Sequence, residues 1–147
     1  AEDGTRKRPV MVHRAIFGAM ERFFAVLTEH FAGAFPVWLA PVQVVVVPIA
    51  DRHVPYCTDV ANRLIDAGLR VDIDQRAERM NRKIRDAQLQ KIPYMLVVGD
   101  RDVEAGQVSV RLRSEKDQGA MDLETFISTV RDVCSDRADG YGFGEAE

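Results

Sequence analysis

The chain has 147 residues, 46% of them hydrophobic and 29% charged, with a formal net charge of −3 at pH 7. That is enough for one domain with a real core, in the composition of a globular protein rather than a disordered one. The net charge speaks against a general nucleic-acid glue, yet residues 76–85 are strongly basic and residues 139–147 acidic, which leaves room for a local basic face. No stretch reaches roughly 18 continuous apolar residues, so no membrane span is expected. The charged start, residues 1–8, lacks the apolar core of a signal peptide. Cys57 and Cys134 form no CxxC or metal-type spacing and read as free thiols in a reducing cytoplasm.

In chain order, residues 1–8 read as a loop and residues 9–13 as a short strand with Val10 and Val12 alternating. The period then changes. Ile16, Met20, Phe23, Phe24, Leu27 and Phe31 fall at helical spacing, which predicts one helix over residues 14–31 that stops near Gly33. Its stripe of large side chains asks for more partner surface than a lone edge helix finds in a small domain. Residues 35–41 (FPVWLAP) bracket Trp38 with two prolines and read as an ordered linker at a domain boundary.

A regular alternation follows. Residues 42–48 are a β-branched buried strand, and residues 52–68 a helix with Cys57, Val60, Ala61, Leu64 and Ile65 inward and Gly68 as its stop. Residues 69–73 make a strand, residues 77–91 a helix, and 94–98 a strand whose unbroken apolar run suits burial on both faces. Residues 107–112 (QVSVRL) alternate, as a strand with one exposed face does; residues 114–120 read as a turn-rich connection. Asp122 caps a last helix whose inward face is Leu123, Phe126, Ile127, Val130 and Val133, and residues 138–147 read as a loose tail. No internal repeat is visible. The sum is β-α-β-α-β-β-α, a three-layer α/β domain on a mainly parallel sheet, preceded by a strand and a long helix.

In such sheets, functional loops lie beyond the carboxyl ends of the strands, and the charged stretch 99–106 occupies that place. Arg111 and Arg113 are two apart and share a strand face, with Val110 and Leu112 pointing the other way. Arg79, Arg82 and Lys83 offer further phosphate contacts. The first strand–helix turn, PIADRH, lacks the glycines of a phosphate-cradling loop, which ranks a small-nucleotide domain last.

Two long stretches, HRAIFGAMERFFAVLTEHFAGAFPVWLAPVQV and AERMNRKIRDAQLQKIPYMLVVGDRDVEAGQVSVRLR, resemble the threonyl-tRNA synthetase family, a class II group. The first looks like the third class II signature motif running into the interdomain junction, and the second like the anticodon-binding domain, which implies a three-layer α/β fold on a mainly parallel, mixed five-stranded sheet. The resemblance implies that residues 1–40 end a catalytic domain, residues 41–137 bind the anticodon and residues 138–147 are a flexible tail. It makes the chain the carboxyl-terminal piece of a cytoplasmic, ATP-dependent ligase that charges tRNA(Thr) with threonine, a homodimer when complete. It implies zinc, ATP and Mg for the full-length enzyme, with His13 as a zinc ligand and Arg22 as a contact to ATP phosphate. Neither catalysis nor a bound cofactor is expected of this piece alone, whose partners are tRNA and the rest of the catalytic domain.

For the anticodon, the resemblance implies that Arg85 stacks on or hydrogen-bonds a nucleotide. Asp102 accepts from a guanine edge, and Arg111 and Arg113 hold base or phosphate. Single-stranded loop bases expose Watson–Crick edges and π-faces that carboxylates and guanidinium planes can read. Two positions depart from the family pattern: Ala19 stands where it usually has Ser, and Ala77 where it often has a polar residue. The competing reading is the same fold as an accessory or protein-interaction module with no part in tRNA charging.

Overall fold

Four consecutive valines followed by Pro48 make the central strand, β1 (Val44–Pro48), which is buried along its whole length. The architecture around it is taken from a computed structural model, which describes Glu2 and residues 4–143. In chain order the elements are α1 (Met20–His30), β1, a 3₁₀ turn (Asp51–His53), α2 (Val54–Asp66), β2 (Val71–Ile73), α3 (Met80–Leu89), β3 (Tyr94–Val98), α4 (Asp100–Ala105), β4 (Gln107–Leu112), β5 (Asp117–Asp122) and α5 (Leu123–Asp136).

The five strands form one sheet in the order β2-β1-β3-β4-β5. β1 runs parallel to β2 and β3, whereas β4 is antiparallel to both β3 and β5. Strand pleating divides the core in two. Val44, Val46, Tyr94, Leu96, Val98, Val108, Val110 and Leu112 point to α2 and α5, where they meet Leu64, Phe126 and Val130. Val45, Val47, Met95 and Val97 point the other way, to Ile84 and Ala87 of α3 and to Ile92. The result is the expected three-layer α/β domain on a mixed five-stranded sheet. Its second core contains no residue of β4 or β5 among the described residues, so α3 covers only half of its side of the sheet.

Several boundaries differ from the sequence reading, each for a local reason. Residues 9–13 form no strand; Val10, Met11 and Val12 stand exposed, with no strand paired to them among the described residues. The helix expected over residues 14–31 exists only as α1. Gly18 sits at a positive φ of 67°, and the N-cap Ala19 has an extended backbone and no side-chain oxygen to cap with. No residue of α1 is buried, and Ile16, Phe17, Met20, Phe24 and Val26 stand open to solvent. The charged stretch 99–106 is a short helix rather than a loop, stopped by Gly106 at a left-handed φ of 68°. Most of the connection 114–120 is the fifth strand. Asp117, Gln118 and Gly119 have poor strand propensity, but β4 pairs with them across an irregularity at Val110/Arg111.

The expected loose tail is packed at its start. The Tyr94 hydroxyl donates to the Tyr141 carbonyl at 2.6 Å, and Phe143 stacks on Phe126 with ring centroids 6.0 Å apart. Burial pushes the Tyr94 phenol well above its ordinary range. Residues 144–147 lie outside the described residues. The linker is tied down carbonyl by carbonyl. Lys91 donates to Ala32 O (2.5 Å), Gln43 to Val37 O (3.0 Å), and Arg70 to Trp38 O (2.9 Å) and Ala40 O (2.8 Å).

Candidate nucleic-acid interface

Because α3 stops short of β4, a groove opens between them, lined by Asn81, Ile84 and Gln88 of the helix and by Met95, Arg111, Leu112 and Glu115 of the sheet side. Arg85 lies four residues after Asn81 and three before Gln88, hence on the same helix flank. It is exposed, with no hydrogen-bond or ion-pair partner among the described residues. Arg111 is half-buried, and its Nε stands 3.5 Å from Asp117 Oδ2. A long, exposed pair of this kind is worth little, so the guanidinium can exchange it for another anion. Arg111 pairs with Met95 in register, which fixes it on the α3 side of the sheet.

Asp102 stands on α4 and is half-buried. Both of its carboxylate oxygens already accept a proton donor. Gly99 N–H reaches Oδ2 at 2.9 Å, closing the first turn of α4, and the Ser109 hydroxyl reaches Oδ1 at 2.7 Å. Each oxygen retains a second lone pair. Ser109 is two residues before Arg111 and so shares its face of β4. The sequence reading did not single out Ser109, although the same alternation that grouped Arg111 and Arg113 reaches it.

Arg113 has a different setting. It lies just beyond β4, and its guanidinium donates to Phe35 O (3.0 Å), Lys91 O (2.9 Å) and Tyr141 Oη (3.1 Å), with its carbon 5.6 Å from the Tyr141 ring centre. Arg111 thus lines the groove, Arg85 lies on the adjoining flank of α3 and Asp102 is bonded to Ser109 of β4, whereas Arg113 is engaged in the joint between linker, α3–β3 connection and tail. Lys83 also departs from expectation. It is 5% exposed, and its ammonium donates to Pro48 O (3.3 Å) and Asp74 O (3.0 Å) at the carboxyl ends of the first two strands. A buried ammonium needs such partners, and that leaves it no phosphate to meet. Of the neighbouring basic residues, Arg79 occupies the N-cap position of α3 without a side-chain capping bond, Arg82 pairs with Glu78 at 3.4 Å, and Arg76 is held by Asp74 and Asp86.

The position of α4, and with it Asp102, is set at the crevice between β1 and β3, where the strand order reverses. Arg52 grips Asp100 with two hydrogen bonds, at 2.8 and 2.6 Å, and the buried His53 meets the same carboxylate at 2.8 Å. Ala50 N–H donates to His53 Nδ1 at 3.2 Å, so Nε2 carries the proton toward Asp100. Arg52 first, then His53, holds the Asp100 carboxyl well below the ordinary range.

Toward the amino terminus, His13 and Arg22 are both exposed, and Arg22 has no ion-pair partner among the described residues. A structural zinc site takes four ligands and a catalytic one three. No group of three or more His, Cys, Asp or Glu capable of holding a metal occurs among the described residues. Among the described residues His13 stands without the further ligands that a zinc site requires. No helix among the described residues is long and apolar enough to cross a membrane.

A family model described as "Anticodon binding domain" matches residues 43–133. The chain belongs to this anticodon-binding domain family. Its relatives include proteins named threonine–tRNA ligase. That of Desulforamulus reducens is 57% identical over 131 residues, covering 89% of this chain and 21% of the relative. That of Thermobifida fusca is 56% identical over 137 residues, covering 93% and 21%. The chain therefore spans about a fifth of the length of these relatives. Among solved structures, the RNA-binding domain of threonyl-tRNA synthetase from Cryptosporidium parvum superposes with a TM-score of 0.74 at 35% identity, over 82% of this chain and 30% of that one. Prolyl-tRNA synthetase of the same organism, in complex with L-proline and AMP, gives 0.59 at 25% identity, over 67% and 22%.

Proposed function

We propose that this chain is the anticodon-reading part of a threonine–tRNA ligase, and that it takes the anticodon loop of tRNA(Thr) into the groove between α3 and β4. The single observation that carries the reading is the groove beside Arg111 in a domain of the anticodon-binding family, with Arg85 on the adjoining flank of α3 and Asp102 bonded to Ser109 of β4. Arg85, free of internal partners, stacks on or donates to a splayed base. Arg111 gives up its long contact to Asp117 for a phosphate or a base edge. Asp102 accepts from an amino or imino group through the lone pairs its internal bonds leave open. Arg113, whose Nε and Nη1 donate within the chain, is assigned to holding the domain together rather than to RNA.

In the complete ligase, ATP with magnesium would supply the activation of threonine and zinc the recognition of its amino and hydroxyl groups; Arg22 and His13 belong to that part. We place the complete enzyme in the cytoplasm as a homodimer on the family resemblance. The 147-residue chain by itself binds RNA and forms no adenylate. Titration of a labelled tRNA(Thr) anticodon hairpin and its middle-base-swapped counterpart, each at two salt concentrations, tests the reading. The cognate hairpin is expected to bind tighter, with affinity falling steeply as salt rises. Equal affinity for both hairpins, or affinity indifferent to salt, contradicts it.

A further inference from the structure

We infer that Ser109 is a second base-reading residue, acting as an acceptor beside Asp102, and that the two together select guanine at the middle anticodon position. The inference rests on the proposed function and deepens it. A serine hydroxyl is ordinarily an ambiguous reader, because its one proton can turn toward either a donor or an acceptor. Here the ambiguity is removed. The Ser109 proton is committed to Asp102 Oδ1 at 2.7 Å, so what Oγ can still offer is its lone pairs.

Asp102 is ordered in the same way from its other side. Gly99 N–H holds Oδ2 at 2.9 Å, so the carboxylate cannot swing as a free side chain would. An ionised carboxylate is itself acceptor-only. Ser109 Oγ and Asp102 thus form two adjacent acceptors, locked to each other and located on the face that carries Arg111. Val97 is the register partner of Ser109, which puts the half-buried hydroxyl on the α3 side of the sheet, where the apolar core under α3 does not extend to β4 among the described residues.

Two acceptors side by side ask for two donors side by side. Among the four Watson–Crick edges only guanine has them, at N1–H and the 2-amino group. Adenine and cytosine place a donor beside an acceptor, and uracil has one donor between two acceptors. A wrong base therefore sets one of its acceptors against a fixed acceptor, with no hydroxyl free to rotate and rescue the contact. That mismatch leaves a desolvated group unpaired, the costly kind of error. The middle base of a threonine anticodon is guanine, which fits the proposed function.

The test uses the 147-residue chain and anticodon hairpins whose middle base is guanosine or inosine, which differ only by the 2-amino group. The unaltered chain is expected to prefer guanosine by roughly fivefold to tenfold, the size of one base-edge contact. Ser109→Ala should narrow that ratio to near one, and Ser109→Thr, which keeps the hydroxyl, should restore most of it. The slope of affinity against salt should be the same in all three, since no phosphate contact is touched. A role confined to holding α4 would lower the melting temperature in Ser109→Ala and leave the ratio unchanged, which overturns the inference. Equal binding of guanosine and inosine by the unaltered chain overturns it without any variant. If Asp102→Asn also leaves cognate and swapped hairpins undistinguished from the parent ratio, the base-reading assignment of the groove falls with it. If Asp102→Asn narrows discrimination and Ser109→Ala does not, the groove reading stands and the Ser109 role is refuted.

Discussion

The guanidinium of Arg113 donates to the carbonyl of Phe35 at 3.0 Å, joining residues 78 positions apart in the chain. The same group also reaches Lys91 O and Tyr141 Oη, so one side chain closes the joint between the linker, the loop before β3 and the start of the tail. Arg113→Ala leaves two backbone carbonyls and a tyrosine hydroxyl to find other donors. It should lower the unfolding free energy by roughly 1–3 kcal/mol, as for the loss of charge-assisted hydrogen bonds. Denaturant titration measures this. The salt slope of RNA binding should stay as it was, whereas Arg111→Ala should make it shallower.

The Arg52–Asp100–His53 contact predicts a pH dependence of stability. The folded carboxyl of Asp100 titrates below its unfolded value, with Arg52 the larger cause and His53 the second. Its stabilising contribution is therefore complete above the unfolded value of about 4 and is lost as pH falls toward the folded one. Asp100→Asn should flatten the fall of melting temperature between roughly pH 4 and pH 2 relative to the parent chain. Because Arg52 and Asp100 are both largely exposed, added salt should shrink the difference. An acid limb of unchanged steepness in the variant contradicts the assignment.

Hydrogen exchange should split the chain. Amides of β1 and β3, buried along both strands, should exchange only with global unfolding. Those of α1, which buries none of its residues, should exchange orders of magnitude faster. Comparable protection in α1 and β3 would show that something covers the apolar stripe of Met20, Phe24 and Val26.

Burial raises the Cys57 thiol to about 11. The thiolate is the reactive form, so Cys57 should resist alkylation at pH 8 in the folded chain and react readily in urea. Mass spectrometry of the labelled peptide decides this; rapid modification of Cys57 under native conditions would mean that the α2 side of the core opens easily.

The fold was legible wherever burial imposed a simple pattern. The unbroken run at 94–98 and the alternation at 107–112 gave both strands with their observed ends, because each periodicity corresponds to burial on two faces or on one. Strand β5 was invisible: Asp117, Gln118 and Gly119 lie at a sheet edge held by β4, and pairing overrode propensity. The failure at residues 9–13 is the converse, a strand-like pattern with no strand to pair with among the described residues. At the site, spacing alone put Arg111 and Arg113 together, yet β4 ends between them and its last carbonyl-rich surroundings capture Arg113. Lys83 read as one more surface cation because helical periodicity does not reveal that its ammonium reaches under the carboxyl ends of β1 and β2. Ser109 needed a neighbour in space, Asp102, that sequence separation hides.

The central claim is that RNA lies in the groove between α3 and β4. Amide chemical-shift mapping with an unlabelled tRNA(Thr) anticodon hairpin tests it most directly. The account predicts the largest shifts at Asn81, Arg85 and Gln88 of α3, at Asp102, and at Ser109 and Arg111 of β4, with α2 and α5 nearly silent. Shifts concentrated on the outer face of α5 or around α1, with the groove unmoved, would contradict it.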